Sequence, residues 1–304
     1  MLPSSSHPVD FSIIVPTYAR PAQLAGCLQS VACLDYPRNR FEVIVVDDGS
    51  ETPPESVLAR FHDQFTLRLL SKGNGGPGSA RNLGAAHAKG RFLAFTDDDC
   101  TPASDWLKKL EARFAAEPEC AIGGRTLNLL RDNPYSTASQ LLIDYLYSYY
   151  NGKPDRARFF AGNNLAMPVA QFTAIGGFDV TFMRPAGEDR ELCDRWLRCG
   201  YRMIYAPEVT VYHAHGLTLR TFWRQHFAYG RGAFYFHKLR AKHGLGRVRV
   251  EPLAFYLDLL RYPYSQGRGK QSLALAALLV VAQAANALGF FSEMASQRKK
   301  NGNI

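Results

Sequence analysis

Residues 91–100 run RFLAFTDDDC. A short apolar core, Phe92 to Phe95, gives way almost at once to Asp97, Asp98 and Asp99. An apolar run of this length bounded by polar residues reads as a buried strand, and it would deliver three carboxylates to one end of a sheet. Working outward, the same pattern recurs. Residues 41–46 (FEVIVV) are followed by Asp47 and Asp48, residues 11–15 (FSIIV) by Pro16, Thr17 and Tyr18, and residues 65–70 (FTLRLL) by a glycine-rich turn. Between these runs, residues 23–33, 55–65 and 79–88 carry apolar positions at helical spacing. Strand and helix alternate four times in the first hundred residues. That pattern predicts an α/β fold, a mostly parallel sheet flanked by helices, with ligands taken beyond the carboxyl ends of the strands. Further on, residues 105–117, 217–243, 252–262 and 272–296 read as helices, and residues 121–215 as a mixture of short strands and loops.

Acid gathered at strand ends is not a core-packing pattern, because crowded carboxylates repel unless a cation sits among them. Asp97, Asp98 and Asp99 therefore suit a hard divalent ion such as Mg²⁺ or Mn²⁺, which draws part of its shell from substrate phosphates. The same acids also fit an ordinary acidic turn. Gly73, Gly75 and Gly78 match a dinucleotide-binding fingerprint, and Asp97 stands where its distal acid would. However, the turn is the third of the domain rather than the first, and Pro77 removes a backbone donor. A loop shaping a nucleotide pocket accounts for the glycines better, with an NAD-dependent dehydrogenase as the minor alternative. Glu188 and Asp189 open a helical run, GEDRELCDRW, where carboxylates serve either as dipole caps or as a general base. His213 and His215 alternate and would share one strand face, as structural histidines or as a metal ligand.

Composition excludes whole classes. Hydrophobic residues make up 46% of the 304 positions and charged residues 21%, which is neither a disordered chain, a collagen nor a polytopic membrane protein. Residues 1–194 sum to a charge of −4 and residues 195–304 to +13, giving the total of +9. A basic tail of this kind points to an anionic surface or ligand. Six cysteines without C-x-x-C spacing argue for reduced thiols in a cytoplasmic protein. The first ten residues show no basic-then-apolar leader. Residues 273–291 (LALAALLVVAQAANALGFF) hold no charge and are flanked by Arg268 and Lys270 before and by Arg298, Lys299 and Lys300 after. The run is long enough to cross a ~30 Å hydrocarbon core. Gln283, Asn286 and the alanines suit a buried or interfacial helix as well.

Taken in order, SIIVPTYARP, VIVVDDGS, RFLAFTDDDC, GGFDVTFMRPAGEDRELCDRW and YHAHGLTLRTFWRQHFAYGRGAF resemble five motifs of the family 2 glycosyltransferases, across residues 11–235. The resemblance implies the GT-A fold. It gives a glycosyltransferase domain over 1–235, with a nucleotide half at about 11–120 and an acceptor half at about 121–235. A basic helical tail over 236–304 follows, bearing the apolar segment 273–291. It further implies inverting, metal-dependent transfer of a hexosyl or N-acetylhexosaminyl unit from a nucleoside-diphosphate sugar to an acceptor hydroxyl, in glycan, glycolipid or polysaccharide synthesis. A non-catalytic nucleotide-sugar binder is the alternative from another class.

Carried over by residue, the resemblance places Asp48 on the base with Pro16 and Tyr18 beside it. Asp97 and Asp98 fall near ribose and diphosphate, and Asp99 on Mn²⁺ or Mg²⁺ with His213 as a further ligand. Asp189 becomes the base, supported by Glu188, and Arg231 a diphosphate contact. Processive relatives carry Q-x-x-R-W, whereas Gln225 here is followed by His226, Phe227, Ala228 and Tyr229. Transfer of a single sugar is therefore expected. The expected acceptor is lipid-linked, the setting is the cytoplasmic face of an anionic membrane, and no nucleic acid is expected as a partner.

Overall fold

Runs of β-branched and aromatic residues, buried along their whole length, build the centre of the sheet. They are β1 (Phe11–Thr17), β2 (Phe41–Asp47) and β4 (Phe92–Phe95), with β3 (Thr66–Ser71) beyond β2. The computed structural model describes residues 9–182, 186–244 and 250–301. Between the strands lie α1 (Pro21–Ala32), the single turn α2 (Glu55–Leu58) and α3 (Pro77–Ala86). After β4 come β5 (Cys100–Pro102), α4 (Trp106–Ala116), β6 (Ala121–Asn128), α5 (Pro134–Tyr150), β7 (Leu165–Pro168), α6 (Val169–Ala174), α7 (Glu188–Arg198) and β8 (Met203–His213). Three long helices complete the chain: α8 (Leu219–Lys242), α9 (Leu253–Ser265) and α10 (Ser272–Asn301).

The eight strands form one sheet in the order β3-β2-β1-β4-β7-β6-β8-β5. β3, β2, β1 and β4 run parallel, with Ile13 opposite both Val43 and Ala94. β7 is antiparallel to β4 and to β6, and β5 is antiparallel to β8. The sheet is therefore mixed: the nucleotide-type half has the expected parallel order, and the added strands reverse direction. One face of the parallel half buries Phe11, Ile13, Val15, Val43 and Val45 against Leu24, Leu28 and Val31 of α1. Full burial of side chains of this size contributes about 1.5–3 kcal/mol each.

Two expectations need correction. Residues 121–215, read as short strands and loops, contain the 17-residue helix α5. Its Ser, Thr and Tyr content lowers local helix propensity, and its stability comes from Leu141, Leu142 and Tyr145 packing on helices far along the chain. The helix expected over 55–65 is helical only at Glu55–Leu58 and continues as turns.

Within the described residues the chain divides into two compact units. One comprises residues 9–127, 151–182 and 189–214 and holds the sheet. The other comprises residues 128–150, 186–188 and 215–301 and is helical. In the helical unit α8 and α10 meet backbone to backbone. A Cβ at Gly230 would stand 1.8 Å from the Asn286 carbonyl oxygen, and one at Gly289 would stand 2.0 Å from that of Phe227. All six cysteines are free thiols, with Cys33 and Cys199 exposed.

Candidate active site

The site is built in the sheet-bearing unit from loops at the carboxyl ends of β1, β2 and β4 and from the end of β8. Beyond β4, each of the three aspartates faces a basic side chain, Asp98 and Asp99 sharing Arg20. Arg81, on α3 and 4% exposed, places Nη2 2.6 Å from Asp97 Oδ1, with its guanidinium 5.4 Å from the centre of the Phe178 ring. Asp98 is buried; its Oδ2 accepts from the Thr17 hydroxyl at 2.7 Å, and its Oδ1 lies 3.4 Å from Arg20 Nη1. Burial pushes the Asp98 carboxyl up to about 6 against the opposing pull of Thr17 and Arg20. Asp99 lies 3.1 Å from the same Arg20 nitrogen and 3.1 Å from His213 Nε2.

Strand register explains how two residues 114 positions apart meet. Cys100 pairs with His213 across β5 and β8, and the Ala214 N–H donates to the Asp99 carbonyl at 2.9 Å. Burial would lower the His213 pKa, but the hydrogen bond His213 donates to Asp99 and the charges of Asp99 and Asp97 outweigh it and raise the pKa above the usual value. Ligand atoms of Asp99, Cys100 and His213 fall within 4.8 Å of one another. Burial holds the Cys100 thiol well above its usual pKa, with the Asp97 and Asp99 charges adding to the effect. Asp99 and His213 offer a carboxylate and an imidazole, a set that fits a divalent first-row ion.

Asp48 and the glycine turn form a second construction. Asp48 is 5% exposed and accepts from Gly75 N–H at 3.0 Å, Gly76 N–H at 2.8 Å and Lys72 Nζ at 2.8 Å. Gly76 precedes α3 with φ of +85°, a backbone region that glycine enters at low cost. The amides that a dinucleotide pyrophosphate would need are thus committed to Asp48, which argues against the dehydrogenase reading of this turn. Asp47 caps the next turn through Ser50, whose hydroxyl accepts the Ala19 N–H at 2.8 Å. Ala19 has φ of +51°, a strained value for a residue with a Cβ. It lies between Tyr18, which is 52% exposed, and Arg20. Pro16 lies inside β1, buried opposite Val46.

Asp189 sits in the first turn of α7, half-buried, its Oδ1 accepting the Arg190 N–H at 2.7 Å. A chain of contacts links this helix to the acidic triplet. Arg195 of α7 pairs with Glu191 at 2.7 Å and grips the carbonyls of Ile175 and Gly177. The Phe178 peptide both donates to and accepts from the Asn82 amide at 2.8 Å. Asn82 is the neighbour of Arg81, the partner of Asp97. Glu188 is buried, and its Oε2 accepts the Ala186 N–H at 2.9 Å. In the helical unit, Arg231 is engaged by Glu293 at 2.5 Å, and the Tyr235 hydroxyl donates to the same carboxylate at 2.6 Å.

Comparison with known proteins identifies the family. Residues 12–176 match the model of the family described as glycosyl transferase family 2, and residues 145–215 match one described as the N-terminal domain of galactosyltransferase. The chain belongs to glycosyl transferase family 2. Among curated relatives, the pre-mycofactocin glycosyltransferase of Mycobacterium tuberculosis is 30% identical over 76% of this chain and 48% of its own length. The validoxylamine A glucosyltransferase of Streptomyces hygroscopicus subsp. jinggangensis is 27% identical over 71% and 54%. The chain thus spans about half the length of these relatives. Its fold matches that of the mannosyltransferase PcManGT of Pyrobaculum calidifontis, solved with GDP-Man and Mn²⁺, with a TM-score of 0.62 and 22% identity over 97% of this chain and 81% of that one. The TarS fragment 1–349 of Staphylococcus aureus, solved with UDP-GlcNAc, gives 0.52 at 17% identity over 96% and 92%. These two structures share with this chain the GT-A arrangement of a mixed sheet flanked by helices.

Arg20, Thr17, Lys72, Arg81 and Asn82 were not singled out by the sequence. A usable signal was present for Arg81, because it lies in a helix opened by the glycine turn, and a cation on a buried helix face needs an acid beside it.

Proposed function

We propose that the protein transfers one sugar from a nucleoside-diphosphate sugar to an acceptor hydroxyl with inversion at the anomeric carbon. The observation that carries this reading is the acidic triplet at the end of β4 with Asp99 against His213, in a chain of family 2. Asp189 accepts the acceptor hydroxyl proton as the oxygen attacks the anomeric carbon. The bond from that carbon to the diphosphate oxygen breaks, and its electron pair leaves with the diphosphate. Asp99 and His213 would hold Mn²⁺ or Mg²⁺, and imidazole in the set favours Mn²⁺. A bound divalent ion supplies charge neutralisation to the departing diphosphate. Asp48 and the loop it anchors, with Pro16 and Tyr18 on β1 and its following turn, shape the base pocket. Glu188 fixes the turn that leads to Asp189. The acceptor is lipid-linked and is met at the cytoplasmic face of an anionic membrane, towards which the basic tail would be drawn.

Thermal-shift titration with UDP- and GDP-sugars, with and without Mn²⁺, tests the donor and the metal together, since a ligand of the folded state raises the melting temperature. A shift that needs both is expected, and Asp99→Ala should abolish the Mn²⁺ requirement along with the shift. Asp189→Asn should bind donor normally and lose about 10²–10⁴-fold in turnover. Full turnover in that variant refutes the base.

A further inference from the structure

Helix α10 is uncharged from Leu273 to Phe291 and is long and apolar enough to cross a membrane by length and composition. Its surroundings point to a different use. One face is built into the helical unit. Leu275 and Ala282 pack with Leu141, Leu217 and Phe222, while Leu279 packs with Tyr145, Phe255 and Leu259. Further along, Glu293 is 3% exposed and accepts from Arg231 and Tyr235 of α8. A helix inserted across lipid would strip these contacts and carry an unpaired Glu293 toward hydrocarbon, leaving Arg231 behind.

The other face is open. Leu273, Ala277, Val280, Ala284, Leu288 and Phe291 are exposed, at steps of three and four residues, so they line one stripe. Leu273 is 72% exposed and Phe291 57%. The stripe is about 27 Å long at 1.5 Å per residue. Exposed cations bracket it, Arg268 and Lys270 before and Arg298 after; the side chains of Lys299 and Lys300 lie outside the described residues. α9 adds exposed Leu253, Leu257 and Arg261 on one of its own faces.

We infer that α10 lies in the plane of an anionic bilayer, its exposed stripe sunk into the head-group boundary and its packed face still holding α5, α8 and α9. An apolar stripe bracketed by cations, within a region of net charge +13, is complementary to anionic lipid. The inference gives the membrane part of the proposed function a surface and rests on that reading only for its purpose, since docking itself stands on the helix surface.

The test is flotation of the full chain with phosphatidylcholine vesicles, with and without about a quarter phosphatidylglycerol. The wild-type chain should float with the anionic vesicles, lose binding in high salt, and be released by alkaline carbonate. The variant L273Q/V280Q/L288Q changes exposed positions only and should bind at least tenfold more weakly, while R268Q/K270Q should weaken binding to anionic vesicles alone. Both should keep the wild-type melting temperature and the wild-type thermal shift with nucleotide sugar and Mn²⁺.

Four results overturn the inference: a wild-type chain left in the supernatant, a triple variant that floats like wild type, binding that resists carbonate as a spanning helix does, or a wild-type dimer that the triple variant converts to monomer. Flotation that depends on the stripe, in a protein that binds no nucleotide sugar, would uphold the docking surface and refute the catalytic reading.

Discussion

Asp48→Asn is the most informative single change in the sheet-bearing unit, because the wild-type carboxylate does two jobs there. It accepts from the Gly75 and Gly76 amides at 3.0 and 2.8 Å, and it pairs with Lys72 at 2.8 Å while 5% exposed. Asparagine keeps one acceptor oxygen and turns the other into a donor. One glycine N–H would then face another N–H in a buried site, and Lys72 would lose its countercharge. A hydrogen bond to a charged group contributes about 1.5–3 kcal/mol, and an unsatisfied buried donor costs about 1–3 kcal/mol. Losing one such bond and weakening the others should destabilise the protein by about 2–4 kcal/mol. Urea unfolding followed by tryptophan fluorescence reads the global effect. Hydrogen exchange reads the local one, and the Gly75 and Gly76 amides should exchange at least tenfold faster in the variant. A variant within about 0.5 kcal/mol of wild type, with unchanged exchange at those two amides, would refute the account of the turn. Donor affinity is a separate readout: if it falls while the turn stays protected, Asp48 reaches the base directly.

Other changes test other links. Gly230→Ala forces a Cβ to 1.8 Å from the Asn286 carbonyl, so α8 and α10 must part; a loss of about 1–3 kcal/mol is expected, read as a lower melting temperature. His226 is fully buried, its ring nitrogens are unpartnered among the described residues, and burial, with His215 adding to it, lowers its pKa to about 4 from 6.5. The folded state therefore holds it neutral while the unfolded chain takes up a proton. Its contribution is complete above pH 6.5 and is lost as pH falls through about 4, a span corresponding to roughly 3 kcal/mol. His226→Leu should flatten the acid limb of the stability profile and change little at pH 8; an unchanged acid limb would refute the assignment. Asn82→Ala removes both bonds to the Phe178 peptide and should reduce turnover about tenfold or more through misplacement of α7, with donor affinity unchanged; equal losses in both would make Asn82 merely structural.

The parallel half of the fold is legible in the sequence because its determinants are local. Phe11–Val15, Phe41–Val46 and Phe92–Phe95 are short runs, apolar except for Ser12 and Glu42 and buried on both faces, a pattern that few structures other than a central strand satisfy. The antiparallel additions are not legible in that way. β7 has four residues and β5 three, too short for a period to emerge, and their direction is set by partners elsewhere in the chain. α5 fails for the opposite reason. It is long, but Tyr, Ser and Thr blur its propensity, and the contacts that stabilise it come from α8, α9 and α10.

The same distinction separates the readable from the unreadable part of the site. Acids stand out in the sequence because they cluster: Asp47 with Asp48, and Asp97 with Asp98 and Asp99. Their cations do not cluster. Arg20 reaches Asp98 and Asp99 from 78 and 79 residues away, Arg81 reaches Asp97 from 16, and Lys72 reaches Asp48 from 24. Each cation looks like a solvated surface charge until the fold brings it to a strand end. Burial cost then demands the pairing, because a carboxylate as enclosed as Asp98 or Asp48 is tolerated only with donors or cations around it. The acidic cluster is thus held together before any metal arrives. In the proposed reaction a divalent ion on Asp99 would compete with Arg20 for that carboxylate, and a guanidinium so released, on a loop beside the exposed Tyr18, would be available to a diphosphate oxygen.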